Sequence, residues 1–246
     1  MSGASGITVG AQDLYTEETN PVHKLGQVAQ DEYGNTFRYA QAGGTALVTG
    51  HLLQEAAEDT NYTSMVNQAT SAIGATTISV TLGGTAVTAS QFDQGILTIE
   101  QSTGLGQTFR ILSHTVQTST TGTCVFTIDR PLKIATVVTN TQVTVRKNPY
   151  DGVIDNPTTQ TGNVVGVALY AMTASAHGWI QTGGDTGVLF DTGTNTSDGV
   201  LGIGPSAAVA GSVKPQGGGE GATIIGFARI VASTDSTFGI AHLTID

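Results

Sequence analysis

The chain has 246 residues, 39% of them hydrophobic and only 11% charged, with a formal net charge of −10. Thr, Gly, Ser, Ala, Gln and Asn stand where charge is missing, a mix that disfavours helices and favours strands and turns. The length buries a core without staples. The acidic balance opposes sequence-independent nucleic-acid binding, which needs clustered cations. The single cysteine, Cys124, excludes an intrachain disulfide and a Cys-based metal site.

Charge is unevenly spread. Residues 1–60 carry eight acids and two bases, residues 61–150 three and five, and residues 151–246 eight and two. The mildly basic middle rests on Arg110, Arg130, Lys133, Arg146 and Lys147. It is read as solvated surface charge and local ion pairs. No apolar stretch reaches the roughly 18 residues a membrane span requires. The opening Met-Ser-Gly-Ala-Ser-Gly has neither a basic nor an apolar region, so no secretory leader is expected.

In chain order, residues 1–24 read as an extended arm, polar and acidic with scattered Ile7, Val9, Leu14 and Tyr15. A hairpin follows. Residues 26–31 run up, residues 32–35 turn at Gly34 and Asn35, and Thr36 to Ala40 return with Phe37 and Tyr39 on one face. Ala46 to Val48 begin another strand, and residues 51–60 fit either a short helix or a strand end with a polar loop.

The middle region alternates most cleanly. Ile78, Val80 and Leu82 share a face, as do Leu97 and Ile99, Phe109 and Ile111, Cys124, Phe126 and Ile128, and Val143 and Val145. Gly-rich turn signals separate these runs, the pattern of a sandwich or barrel. Pro149 and Pro157 mark a boundary. Beyond it, Val164-Val-Gly-Val-Ala168 returns as Ile224-Ile-Gly-Phe-Ala228, each followed by a second short run at Gly178 to Ile180 and Gly239 to Ala241. Gly inside a strand points to a bulge or a close backbone approach. Residues 193–221 read as a long surface loop.

The expected fold is therefore all-β, a β-barrel or sandwich of jelly-roll type, with the N-terminal arm at 1–24. A barrel-like domain is expected from 25–60 with 151–246, and an inserted sandwich-like subdomain from 61–150.

Motifs for chemistry are scarce. His23, His51, His114, His177 and His242 are scattered and read as polar strand or loop residues. Gly217 to Gly221 lacks the Lys-Ser/Thr ending of a phosphate loop. Asp185-Thr-Gly and Asp191-Thr-Gly match the aspartic-protease tripeptide, but that chemistry needs two carboxylates sharing a proton. In a Thr- and Gly-rich chain the tripeptide is expected by chance. The oxygen-rich run Asp191 to Asp198 has only two carboxylates and no closing Glu, so a polar turn is expected rather than a Ca²⁺ loop. Trp179, the only tryptophan, is read as a core residue. No catalytic residue, cofactor or metal site is assigned.

Four stretches resemble the decoration, or cement, proteins of tailed-bacteriophage heads. They are Leu25-Gly-Gln-Val-Ala-Gln-Asp-Glu-Tyr-Gly-Asn-Thr-Phe-Arg-Tyr-Ala40 with Ala46-Leu-Val-Thr-Gly50; Phe92-Asp-Gln-Gly-Ile-Leu-Thr-Ile99 with Gly106-Gln-Thr-Phe-Arg-Ile111; Arg130-Pro-Leu132 with Val143-Thr-Val-Arg-Lys-Asn-Pro-Tyr150; and Val165-Gly-Val-Ala168 with Gly178-Trp-Ile-Gln-Thr182. The resemblance covers about residues 21–246. It implies a β-rich virion protein, often a homotrimer, on the capsid exterior at threefold or quasi-threefold positions. The implied partners are the major capsid protein and further copies of itself, with no nucleic acid, membrane or enzyme activity. The alternative from another class is a tail or fibre component that recognises host glycans through Trp179 and the loop at 193–221.

Overall fold

β-Branched and small polar residues, with few strong helix formers, make a chain of strands. The computed structural model describes residues 7–191, 202–216, 223–232 and 234–246. In order, the strands are β1 (Ile7–Thr8), β2 (Val28–Gln30), β3 (Thr36–Ala42), β4 (Leu52–Gln54), β5 (Met65–Val66), β6 (Thr77–Thr81), β7 (Ile96–Gln101), β8 (Thr108–His114) and β9 (Thr123–Ile128). They continue as β10 (Gln142–Arg146), β11 (Asp151–Asp155), β12 (Val164–Ala168), β13 (His177–Phe190), β14 (Gly202–Pro205), β15 (Val213–Pro215), β16 (Gly226–Ile230) and β17 (Thr237–Thr244). Among the described residues the helical pieces are one turn at Ala11–Leu14 and a 3-10 turn at Thr60–Tyr62. No helix of the described residues is long and apolar enough to cross a membrane.

The chain divides into two compact units, one made of the chain up to Ala57 with Pro149–Asp246, the other of Glu58–Asn148. In the first, the 14-residue β13 belongs to two closed circuits of strands. One runs β3, β11, β4, β12 and back to β13; the other runs β13, β17, β16, β14, β15 and back. Residues 177–183 of β13 face β3, and residues 183–190 face β17. Closure removes open edges that would otherwise recruit foreign strands. Ala40, Leu47, Leu53, Val153, Val165 and Ile180 pack together in one core cluster. Val188, Phe190, Ile203, Val213, Ala241 and Leu243 form another.

Both copies of the internal echo form antiparallel hairpins, β12–β13 and β16–β17. The first has a register shift at its glycine where β12 pairs with β4, between Val164 and Gly166; the second has its shift beyond the glycine, between Ala228 and Ile230. A Cβ on Gly166 would lie 2.8 Å from the Gln181 carbonyl oxygen, so close backbone approach explains that glycine.

The stretch read as an arm is, over residues 7–24, tied to the first unit. β1 pairs in parallel with β2. Glu18 forms a backbone bridge with His177, and Glu17 accepts from the Thr173 amide at 2.7 Å. Val9 and Leu14 join Ala29, Phe37, Tyr39 and Trp179 in a third cluster.

The second unit is a six-stranded sheet in the order β5, β10, β7, β8, β9, β6. It closes through a bridge between Asn67 and Val80. Its core gathers Ile78, Val80, Leu97, Ile99, Phe109, Ile111, Cys124, Phe126, Ile128, Val143 and Val145. Each strand sends one side inward, so alternation and burial coincide.

Two local expectations change and one open choice is decided. Ala46 to Val48 form no strand; Leu47 makes an isolated bridge with Met172. Residues 51–60 take the strand-end form, as β4 followed by a polar loop. The supposed surface loop at 193–221 contains β14 and β15, because Ile203 and Val213 are wholly buried in the core. Residues 193–201 and 217–221 lie outside the described residues.

Candidate functional site

Groups that could do chemistry are tied into the fold. His23 packs edge-on to Tyr39 at 5.1 Å and against Trp179 at 5.2 Å. His51 Nδ1 lies 2.7 Å from Asp155 Oδ2. His114 Nε2 accepts from the Phe92 amide at 3.1 Å while Nδ1 faces the Thr115 carbonyl at 3.3 Å. His177 is buried and stacks on Tyr39. His242 Nδ1 lies 2.6 Å from Asp185 Oδ1. Among the described residues no three His, Cys, Asp or Glu side chains gather as a metal site would require. The pairs His51–Asp155 and His242–Asp185 span 104 and 57 positions, so no local motif announces them.

The two Asp-Thr-Gly carboxylates do not form a dyad. Asp185 is exposed on β13, where Arg229 approaches at 3.3 Å beside His242. The hydrogen bond from His242, then that from Arg229, holds its carboxyl below the usual range. Asp191 is buried and accepts from the Ser206 hydroxyl, whose oxygen in turn accepts from the Ala208 and Val209 amides. The rest of the run to Asp198, and the glycines at 217–221, lie outside the described residues.

Trp179 is only 3% exposed, which removes it as an exposed sugar anchor. Its ring meets Tyr39 at 5.2 Å. The Tyr39 hydroxyl donates to Glu18, and burial followed by that bond raises the phenol far above its ordinary value. Cys124 is buried, and burial raises its thiol, as for a small core residue.

Two arginines of the basic middle region are also engaged. Arg110 donates to the Gln94 carbonyl, and Arg130 pairs with Asp129 at 3.2 Å while covering the Phe109 ring. In the first unit, Arg38 grips Asp246 with bonds of 2.7 and 2.9 Å. Burial opposes ionisation of Asp246, but the hydrogen bonds from Arg38 and Thr182 prevail and lower its carboxyl.

What remains available is apolar surface. On the first unit Ile224, Phe227, Ile230, Phe238 and Ile240 are among those exposed; on the second, Ile73, Leu105, Ile134 and Val138 are exposed in loops and Val66, Ile96 and Leu112 on strands. A contiguous apolar patch marks a contact surface, whereas singly scattered residues need no such explanation.

Comparison of the chain with protein families, curated proteins and solved structures returns no match.

Proposed function

We propose that the chain is a non-enzymatic virion protein that binds the outside of a tailed-phage head and stabilises it, in association with the major capsid protein and with copies of itself. What carries this reading is the placement of the four resembling stretches. The first and fourth supply β3 and β13, which pair over Trp179 and Tyr39 in the first unit. The second and third supply β7, β8 and β10, which pair in the second. The resemblance thus falls on the paired frameworks of both units.

The physical task suits the composition. Packaged DNA pushes outward on a thin shell. A protein that touches several shell subunits links many weak contacts and gains avidity steeply. Docking a surface of Thr, Ser, Gln and Asn costs less desolvation than docking Lys and Glu. Threefold or quasi-threefold positions are the proposed seats. The net charge of −10 disfavours contact with the DNA within.

The test is a count. Gel densitometry of purified particles should give copies on the order of hundreds per head, as repeated lattice seats require. Heads lacking the chain should lose heat resistance and regain it when purified chain is added. A handful of copies per particle would assign the chain to a tail, and unchanged heat resistance would remove the stabilising role.

A further inference from the structure

The β16–β17 hairpin is built with its large side chains on the wrong side for a free-standing barrel. Facing the core are Gly226, Ala228, Gly239, Ala241 and Leu243. Facing out are Phe227, Ile230, Phe238 and Ile240, between 42% and 57% exposed. Ile230 and Ile240 are register partners, and the shift between Ala228 and Ile230 turns both Arg229 and Ile230 outward. Ile224 extends the patch, lying over Gly202 of β14.

A narrow barrel accounts for the small residues inside. It does not account for Phe and Ile outside. Elsewhere outward strand positions are mostly polar, as with Thr77, Ser79 and Thr81 on β6, Thr123 and Thr127 on β9, and Gln142 and Thr144 on β10, and the large apolar exceptions Val66, Ile96 and Leu112 stand one to a strand on β5, β7 and β8. Thr satisfies strand propensity as well as Ile does. Strands apolar on both faces belong to sheets buried on both faces. Phe238 is also pre-seated. Its ring fills the space that a Cβ on Gly50 would need, and the Leu189 amide donates to the Gly50 carbonyl at 2.9 Å. A side chain already fixed loses little entropy on docking.

Charge identifies the occupant. The first unit carries the whole net charge of −10, with fourteen acids against four bases. Two copies therefore repel over most of that unit's surface. On the strands of this face the charges are Asp185, Arg229 and His242, bonded to one another, and Asp235 is exposed in the turn that joins β16 to β17. Asp185 and Arg229 side by side are self-complementary across a twofold contact, because each Arg229 can meet the other copy's Asp185. Aromatic and Arg residues without Lys are also the composition of interface cores.

We infer that the outward face of the β16–β17 hairpin is a contact surface for a second copy of this chain. The inference deepens the proposed function by naming the face used for self-contact. It is read on purified chain without heads, so loss of head binding with intact association counts against the head reading alone.

The experiment is sedimentation velocity on the full chain and on Phe227→Asp, Ile240→Asp and, as a control, Leu105→Asp in the second unit. Far-UV circular dichroism and hydrogen exchange of β13 confirm folding in each. Wild type should sediment as more than one chain at about 100 μM, and either face variant should weaken association at least about 100-fold. Leu105→Asp should leave it unchanged. Higher ionic strength should preserve or tighten association, since it screens like charge. A single-chain mass for wild type overturns the inference, and so does wild-type association by folded Ile240→Asp. A monomeric wild type whose head binding is lost in Ile240→Asp also overturns it and assigns the face to the head shell.

Discussion

The two units solve the same problem with opposite surfaces. The Glu58–Asn148 unit has five acids and five bases and turns Thr, Ser and Gln outward along β6, β9 and β10. The other unit carries all ten net negative charges, yet on β16 and β17 it turns Phe and Ile outward beside the paired Asp185, Arg229 and His242. One unit scatters its exposed large apolar residues over loops and single strand positions such as Ile96 and Leu112. The other gathers several of its own on one face, as a surface awaiting cover does.

The sharpest way to probe that contrast is to damage each core separately. Phe126→Ala and Phe190→Ala each empty a fully buried site and should cost about 3–5 kcal/mol. Hydrogen exchange should show protection lost first in β6–β10 for Phe126→Ala and first in β13 and β17 for Phe190→Ala. Simultaneous loss across both units in either variant would break the division. Trp179→Ala should cost a similar amount in urea unfolding, about 3–5 kcal/mol, because the ring holds Tyr39 and residues 7–24. A sugar-anchoring Trp would instead leave stability unchanged.

A middle-sized effect is expected at the Arg38–Asp246 pair. Asp246→Asn should cost about 1–2 kcal/mol at neutral pH, because a partly buried, charge-assisted pair loses one member. The folded carboxyl titrates below its unfolded value, so the contribution is complete above the unfolded pKa and fades as pH falls through the lowered folded one. The variant should therefore show a shallower acid limb in its stability profile. An unchanged limb would remove Asp246 from the acid response. The smallest effect belongs to Asp185, which is 56% exposed. Its carboxyl is also depressed, so its share follows the same sign. Solvent screening keeps Asp185→Asn within about 0.5 kcal/mol in chemical denaturation.

Legibility follows the same division. Around β6–β10 the alternating residues named from sequence are the ones that fill the core, because every strand is long enough to show its period and buries one face. In the first unit the echo at 164–168 and 224–228 marks two hairpins, but β14 and β15 span only four and three residues, too short to display alternation. Alternation also does not say which set faces in. Size alone would send Phe238 and Ile240 to the core, whereas the close approach at Gly239, where a Cβ would meet the Phe190 ring, reserves the inside for small residues. The pairs His51–Asp155 and His242–Asp185 stayed hidden because strand order, not local sequence, brings them together.

Adhesion to a head is tested most directly by imaging. A reconstruction of particles with and without the chain should show difference density repeated over the outer head lattice. Density confined to the tail or lying inside the shell would contradict the account, as would its absence from particles that contain the chain.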